Sequence, residues 1–97
     1  MGYMLNQIGE PAMYEQLAEE CAELGKAALK IARIERGENP TPKTKEQATA
    51  DLIEEYTDVC ICADELGLKA DPNIAAKKLA RCVQRQNQVH NGGHITV

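Results

Sequence analysis

The residues of this sequence best placed to do chemistry are carboxylates. On the helical repeat of about 100° per residue, Glu55 lies only about 40° from Val59, inside an apolar stripe that also holds Leu52, Cys62 and Leu66. An ionised side chain in a core stripe needs a partner or a metal. Asp58 follows one turn later, about 60° away, so the two side chains can aim oxygen atoms at one point. A second pair, Glu20 and Glu23, is also one turn apart and shares a face with Ala27, Ile31 and Ile34. Antiparallel packing of the two segments would set the pairs face to face. Four carboxylates confined in this way repel strongly unless hard divalent cations occupy the gap. Oxygen-only ligation points to Mg²⁺ or Mn²⁺ rather than zinc, because no His or thiolate stands at the right spacing. Glu15, Glu35, Glu38, Glu46 and Glu65 read as ordinary solvated acids.

Bases gather later in the chain. Lys77, Lys78, Arg81 and Arg85 fall on one predicted helix, and Lys77, Arg81 and Arg85 form a ridge at i, i+4 and i+8. Taken alone such a ridge is as readily a solvated face. Beside an acidic metal site it is what a polyphosphate needs, metals taking some phosphate oxygens and Lys or Arg the rest. Base selectivity has no clear carrier: Phe and Trp are absent, and Tyr3, Tyr14 and Tyr56 suit core or tail positions equally well. His90 and His94, in the run HNGGH, read as part of a polar tail.

Three helices must position these groups. Pro11 precedes a run in which Tyr14, Leu17, Cys21, Leu24, Ala28 and Ile31 recur at spacings of three and four, so a helix is expected from Glu10–Met13 to about Arg36, where Gly37 ends it. GENPTPK (37–43) is a loop. Thr44 with Gln47 makes a capping box for a second helix reaching about Leu66, stopped by Gly67. Its stripe is Leu52, Tyr56, Val59, Ala63 and Leu66. Ile53, Cys60 and Ile61 put apolar groups on its other sides, so this helix wants more than one neighbour. Asp71 caps a third helix, with Pro72 in its first turn, that runs to about Val89. The expected organisation is a single domain, 1–97, with a core of about 11–89 and a tail over 90–97.

Composition bounds the rest. The chain has 97 residues, and a chain of that size buries only about 64% of the surface it exposes when unfolded, which is marginal for a lone monomer. Its apolar content leans on 13 Ala and 4 Cys. An all-α architecture is therefore expected, its long antiparallel helices completing a four-helix-type bundle on dimerisation, as a homodimer or a dimer of dimers. Residues 1–66 carry 14 acids and 6 bases, and residues 67–97 carry 1 acid and 5 bases. That balance argues against stable nucleic-acid binding. No apolar run is long enough for a membrane span and no secretory leader is evident, so a cytoplasmic protein without membrane contact is expected. Asn6 stands where an N-myristoylation motif wants Ser or Thr. Cys21, Cys60, Cys62 and Cys82 contain no CxxC pair and read as small, buried, reduced thiols.

The segments EECAE (19–23) and EEYTD (54–58) together resemble the paired EExxE and ExxD motifs of the MazG-like all-α nucleoside triphosphate pyrophosphohydrolases. The surrounding text, LAEECAELGKAALK and DLIEEYTDVCICADEL, resembles that family's two core helices, and the likeness spans roughly residues 13–85. The resemblance implies that Glu20, Glu23, Glu55 and Asp58 hold Mg²⁺, that Glu19 supports them, and that all five belong to the catalytic site. It also implies hydrolysis of nucleoside triphosphates, deoxynucleoside triphosphates foremost, to the monophosphate and pyrophosphate, as in nucleotide-pool cleaning. Lys77, Lys78, Arg81 and Arg85 would meet the phosphates. The interval from Glu23 to Glu55 is longer than the family usually shows, and aligning Lys78 and Arg85 with its Lys, Asn, Arg series puts Cys82 at the Asn position. Two alternatives stand beside this expectation: a phosphoribosyl-ATP pyrophosphatase-like enzyme with the same metals, and a non-catalytic helical dimerisation module.

Overall fold

A computed structural model describes residues 2–38 and 42–92, with the side chains of 90–92 excepted. The described residues form four helices and no strand: α1 (Tyr3–Ile8), α2 (Glu10–Arg36), α3 (Lys45–Glu65) and α4 (Pro72–Gly92). The expected helix starts and stops hold because their signals are local. Thr44 Oγ1 accepts from the Gln47 amide while the Gln47 side chain accepts from the Thr44 amide, closing the capping box. Asp71 Oδ1 accepts from the amides of Asn73 and Ile74 at 2.8 and 3.0 Å, which satisfies two of the unpaired donors at the start of α4. Gly37 ends α2 at φ 67°, a left-handed conformation that costs any residue with a Cβ, and the Glu38 amide reaches back to the Arg33 carbonyl.

Helices α2 and α3 form an antiparallel hairpin. Lys45 at the start of α3 pairs with Glu35 near the end of α2 at 2.6 Å. The seam of α2 runs through Met13, Leu17, Glu20, Leu24, Ala27, Ile31 and Ile34, all buried or half-buried, at alternating spacings of four and three. This corrects the expected stripe, because Tyr14, Cys21 and Ala28 face solvent. α2 has two apolar flanks, and α3 packs on the one that contains Glu20. The seam of α3 is Ala48, Leu52, Glu55, Val59, Cys62 and Leu66, with the same alternation, while Tyr56 is exposed. Each helix thus carries one glutamate in its packing seam. Among the described residues only Met13, Ala48 and Cys62 are buried. Cys21, Cys60 and Cys82 are exposed free thiols, so burial holds for Cys62 alone.

The short helix α1 lies across both members of the hairpin. It lacks a capping side chain of its own. Its cap comes from the far end of α3: the Glu65 carboxylate accepts from the Gly2 amide at 3.2 Å and from the Leu5 amide at 2.9 Å. These backbone donors, the Leu5 amide first, hold the Glu65 carboxyl below its ordinary value of 4.5.

Helix α4 behaves differently. Among the described residues it packs against none of the other three helices, and every side chain described on it is exposed. It continues through Gly92, so residues 90–92 are helical rather than the start of a tail; His94 and the rest of 93–97 lie outside the described residues. The radius of gyration is 17.8 Å, against about 12.5 Å for a compact domain of this length.

The Glu65 latch makes a pH prediction. A depressed carboxyl contributes its stabilisation in full above the ordinary value of 4.5 and loses it as pH falls through the lower folded value. On acidification below 4.5, the Leu5 amide resonance is expected to shift and lose exchange protection before the α2/α3 amides do. Glu65→Ala should produce the same loss at neutral pH. Unchanged Leu5 protection in the variant would show that α1 docks without the latch.

Candidate metal centre

Helix α2 delivers Glu20 and α3 delivers Glu55 and Asp58 to one place. Each of these half-buried carboxylates offers an oxygen within 4.8 Å of the others. In an octahedral Mg²⁺ shell with metal–oxygen distances of about 2.1 Å, adjacent ligand oxygens stand about 3.0 Å apart, so a closure of no more than about 2 Å would make the three a ligand face. Gln16, one turn before Glu20, donates Nε2–H to Glu20 Oε1 at 2.8 Å and fixes that side chain. Among the described residues no lysine or arginine makes an ion pair with Glu20, Glu55 or Asp58.

The electrostatics follow from that arrangement. The Glu55 carboxyl is pushed above its ordinary value, first by desolvation and then by the charges of Asp58, Glu20, Glu23 and Glu54. Cys62 sits beneath the cluster, and its thiol is raised by burial and by the nearby charges of Glu20 and Asp58. A raised thiol stays protonated and does not compete for a hard cation. The donor set is therefore oxygen only, which suits Mg²⁺ or Mn²⁺.

Glu23 stands at the edge of the group. It is near enough to raise Glu55, but it falls outside the set of three and pairs loosely with Lys26 at 3.7 Å. Glu19 points to solvent. Beside the carboxylates an open cleft of about 370 Å³ runs between the helices, sharing Glu55 with the cluster and lined also by Glu23, Lys26, Lys30 and Lys43. Lys43 also pairs with Asp51 on the cleft wall. Sequence reasoning passed over these three lysines. The signal was there for two of them: Lys26 and Lys30 follow Glu23 at i+3 and i+7, on the face that Glu23 shares with Ala27.

The basic residues expected to meet phosphates lie elsewhere. Lys78, Arg81 and Arg85 line a shallow groove on α4 itself, together with Cys82, and within one chain α4 does not approach the hairpin. Tyr3, Tyr14 and Tyr56 are more than half exposed, and none lines the cleft. No helix among the described residues is long and apolar enough to cross a membrane. Comparison with family models, with curated proteins and with solved structures returned no match.

A raised carboxyl reverses the sign of the latch. Relative to the unfolded chain, Glu55 favours folding below the ordinary value of 4.5 and loses that contribution as pH rises through its folded value. Without divalent cations, Glu55→Gln should therefore raise the melting temperature by a few degrees at neutral pH and change it little at pH 4. Millimolar Mg²⁺ should raise the melting temperature of the natural chain more than that of Glu55→Gln. Equal Mg²⁺ responses would show that the cation does not use this carboxylate.

Proposed function

We propose that this chain is a Mg²⁺-dependent nucleoside triphosphate pyrophosphohydrolase, cleaving between the α and β phosphates to give the monophosphate and pyrophosphate. The observation that carries the reading is the group of three carboxylates from two antiparallel helices, in ion pairs with no cationic side chain among the described residues, opening onto a lysine-lined cleft. The resemblance of the segments 19–23 and 54–58 to the EExxE and ExxD motifs supports the same chemistry.

Glu20, Glu55 and Asp58 would hold the metal, with Glu23 closing the set from the cleft side and Glu19 supporting from the solvent side. Mg²⁺ bound there supplies a charge that polarises phosphate oxygens and stabilises the departing pyrophosphate. The protein's own part is to place water and triphosphate. Glu55, which belongs to both the cluster and the cleft lining, is placed to orient a water directed at the α-phosphorus and, as a carboxylate, to take its proton. Lys26 and Lys30 would take the charge of the β and γ phosphates along the cleft, with Lys43 at its far wall. The bases of α4, which the resemblance assigns to substrate, are out of reach within one chain. The enzyme would act in the cytoplasm, with its thiols reduced, as an assembly of identical chains.

The test is pyrophosphate release from a panel of standard and modified nucleoside triphosphates, deoxynucleotides included, with phosphoribosyl-ATP as a further substrate and Mg²⁺ present. Glu20→Gln, Glu55→Gln and Asp58→Asn should each lower kcat at least about 100-fold, the scale of losing a metal or an acid–base group, while the chain stays helical. Lys30→Ala should chiefly raise KM. Full turnover in any two of the carboxylate variants would overturn the metal assignment. Turnover confined to phosphoribosyl-ATP would move the substrate and keep the site.

A further inference from the structure

Glu20 stands apart from the other two carboxylates of the centre in two respects. It is the one member of the three that comes from α2, so its oxygens decide how the set closes across the seam. It is also held by a neighbour. Gln16, half-buried one turn earlier on the same helix, donates Nε2–H to Glu20 Oε1 at 2.8 Å. Among the described residues neither Glu55 nor Asp58 accepts a hydrogen bond from a side chain or pairs with a lysine or arginine.

Charge fixes the direction of the Gln16 hydrogen bond. An ionised carboxylate offers acceptors only, so the Gln16 amide must present its N–H. Oε1 then commits a lone pair to nitrogen, and the charge-assisted bond stops rotation about the last bond of the Glu20 side chain. One oxygen of Glu20, rather than two, is left for a cation. Its neighbours do not make up the number: Glu23 falls outside the group of three and leans toward Lys26 at 3.7 Å, and the buried Cys62 thiol is a poor ligand for a hard cation.

The number of oxygens on offer is what separates the hard divalent cations. Ca²⁺ takes about six to eight oxygens at roughly 2.3–2.6 Å and readily chelates a carboxylate through both of its atoms, whereas Mg²⁺ binds one or two carboxylates at about 2.1 Å and keeps several waters. A glutamate pinned to a one-oxygen presentation suits the smaller cation and handicaps the larger. We propose that Gln16 is a positioning residue that sets the cation selectivity of the centre: by holding Glu20 Oε1 it limits Glu20 to one metal-facing oxygen and so favours Mg²⁺ and Mn²⁺ over Ca²⁺. Gln16 acts through Glu20 and touches no cation itself. The inference rests on the metal reading proposed above and extends it, from the residues that hold a cation to the residue that chooses among cations.

The test uses the full-length chain without nucleotide and Mn²⁺ as the probe. Bound Mn²⁺ is displaced by Mg²⁺ or by Ca²⁺, its release is followed by the paramagnetic resonance of the free ion, and the readout is the ratio of the two competition constants. Gln16→Met keeps the side-chain length and the helix propensity but removes the donor. It should weaken Mg²⁺ about tenfold, the scale of losing a partner that orients a metal ligand, and leave Ca²⁺ as tight or tighter, moving the ratio about tenfold toward Ca²⁺. Gln16→Glu removes the donor and adds oxygens, and should move the ratio the same way and at least as far. Helix content and melting temperature without cations check the fold of each variant.

A merely structural glutamine would lower both affinities alike or neither. An unchanged ratio in folded Gln16→Met, with Mn²⁺ still bound, would therefore overturn the inference and leave the metal reading standing. A natural chain that binds Mn²⁺ yet prefers Ca²⁺ to Mg²⁺ would overturn it as well. Failure of the natural chain to bind Mn²⁺ would remove the metal reading itself and the inference with it. Should Gln16→Met lose its helix content, the ratio in Gln16→Glu decides in its place.

Discussion

The packing seam between α2 and α3 has to accommodate negative charge, and most other features follow from how it does so. Each helix repeats its seam residues at alternating spacings of four and three, and in each the repeat places a glutamate, Glu20 or Glu55, where a leucine would otherwise stand. Asp58 adds a third charge from the flank of α3. An apolar residue at either glutamate would lengthen a core that otherwise rests on Met13, Ala48 and Cys62. The hairpin accepts repulsion at its centre instead. A cation at that point converts mutual repulsion into shared attraction.

Small residues make this arrangement possible. Ala27 and Ala48 line the cleft beside Glu55, and Cys62 fills the space beneath Glu20 and Asp58. Larger side chains there would close the gap. The same economy leaves the chain short of buried surface, so α1 is tied down by the Glu65 carboxylate and α4 keeps its apolar face exposed within one chain.

Much of this was legible in the sequence. The helix ends were, because the Thr44 and Gln47 pair, the Asp71 and Pro72 pair and Gly37 act on neighbouring backbone and need no tertiary partner. Glu55 and Asp58 were legible because a carboxylate among Leu52, Val59 and Cys62 contradicts its surroundings. Helix α1 was not: its cap is a residue 63 positions away. The α2 stripe was read with Tyr14, Cys21 and Ala28 because those residues are apolar, while the face that packs contains Glu20; α3 chose between two flanks of similar hydropathy. Lys26 and Lys30 were passed over because a lysine on a helix is ordinarily solvated, and the cleft that gathers them exists only once α3 is in place. The basic ridge of α4 was recognised as a surface in need of an anion, but one helix cannot say which anion it meets.

The central claim is that Glu20, Glu55 and Asp58 act together as a divalent cation site, and electron paramagnetic resonance of Mn²⁺ reads this directly. Titration of the natural chain into Mn²⁺ is expected to remove the six-line signal of the free ion as it binds, and excess Mg²⁺ should restore it. Asp58→Asn should leave the free-ion signal standing at the same protein concentration. Undiminished free Mn²⁺ in the presence of the natural chain, or equal loss of signal with Asp58→Asn, would contradict the account.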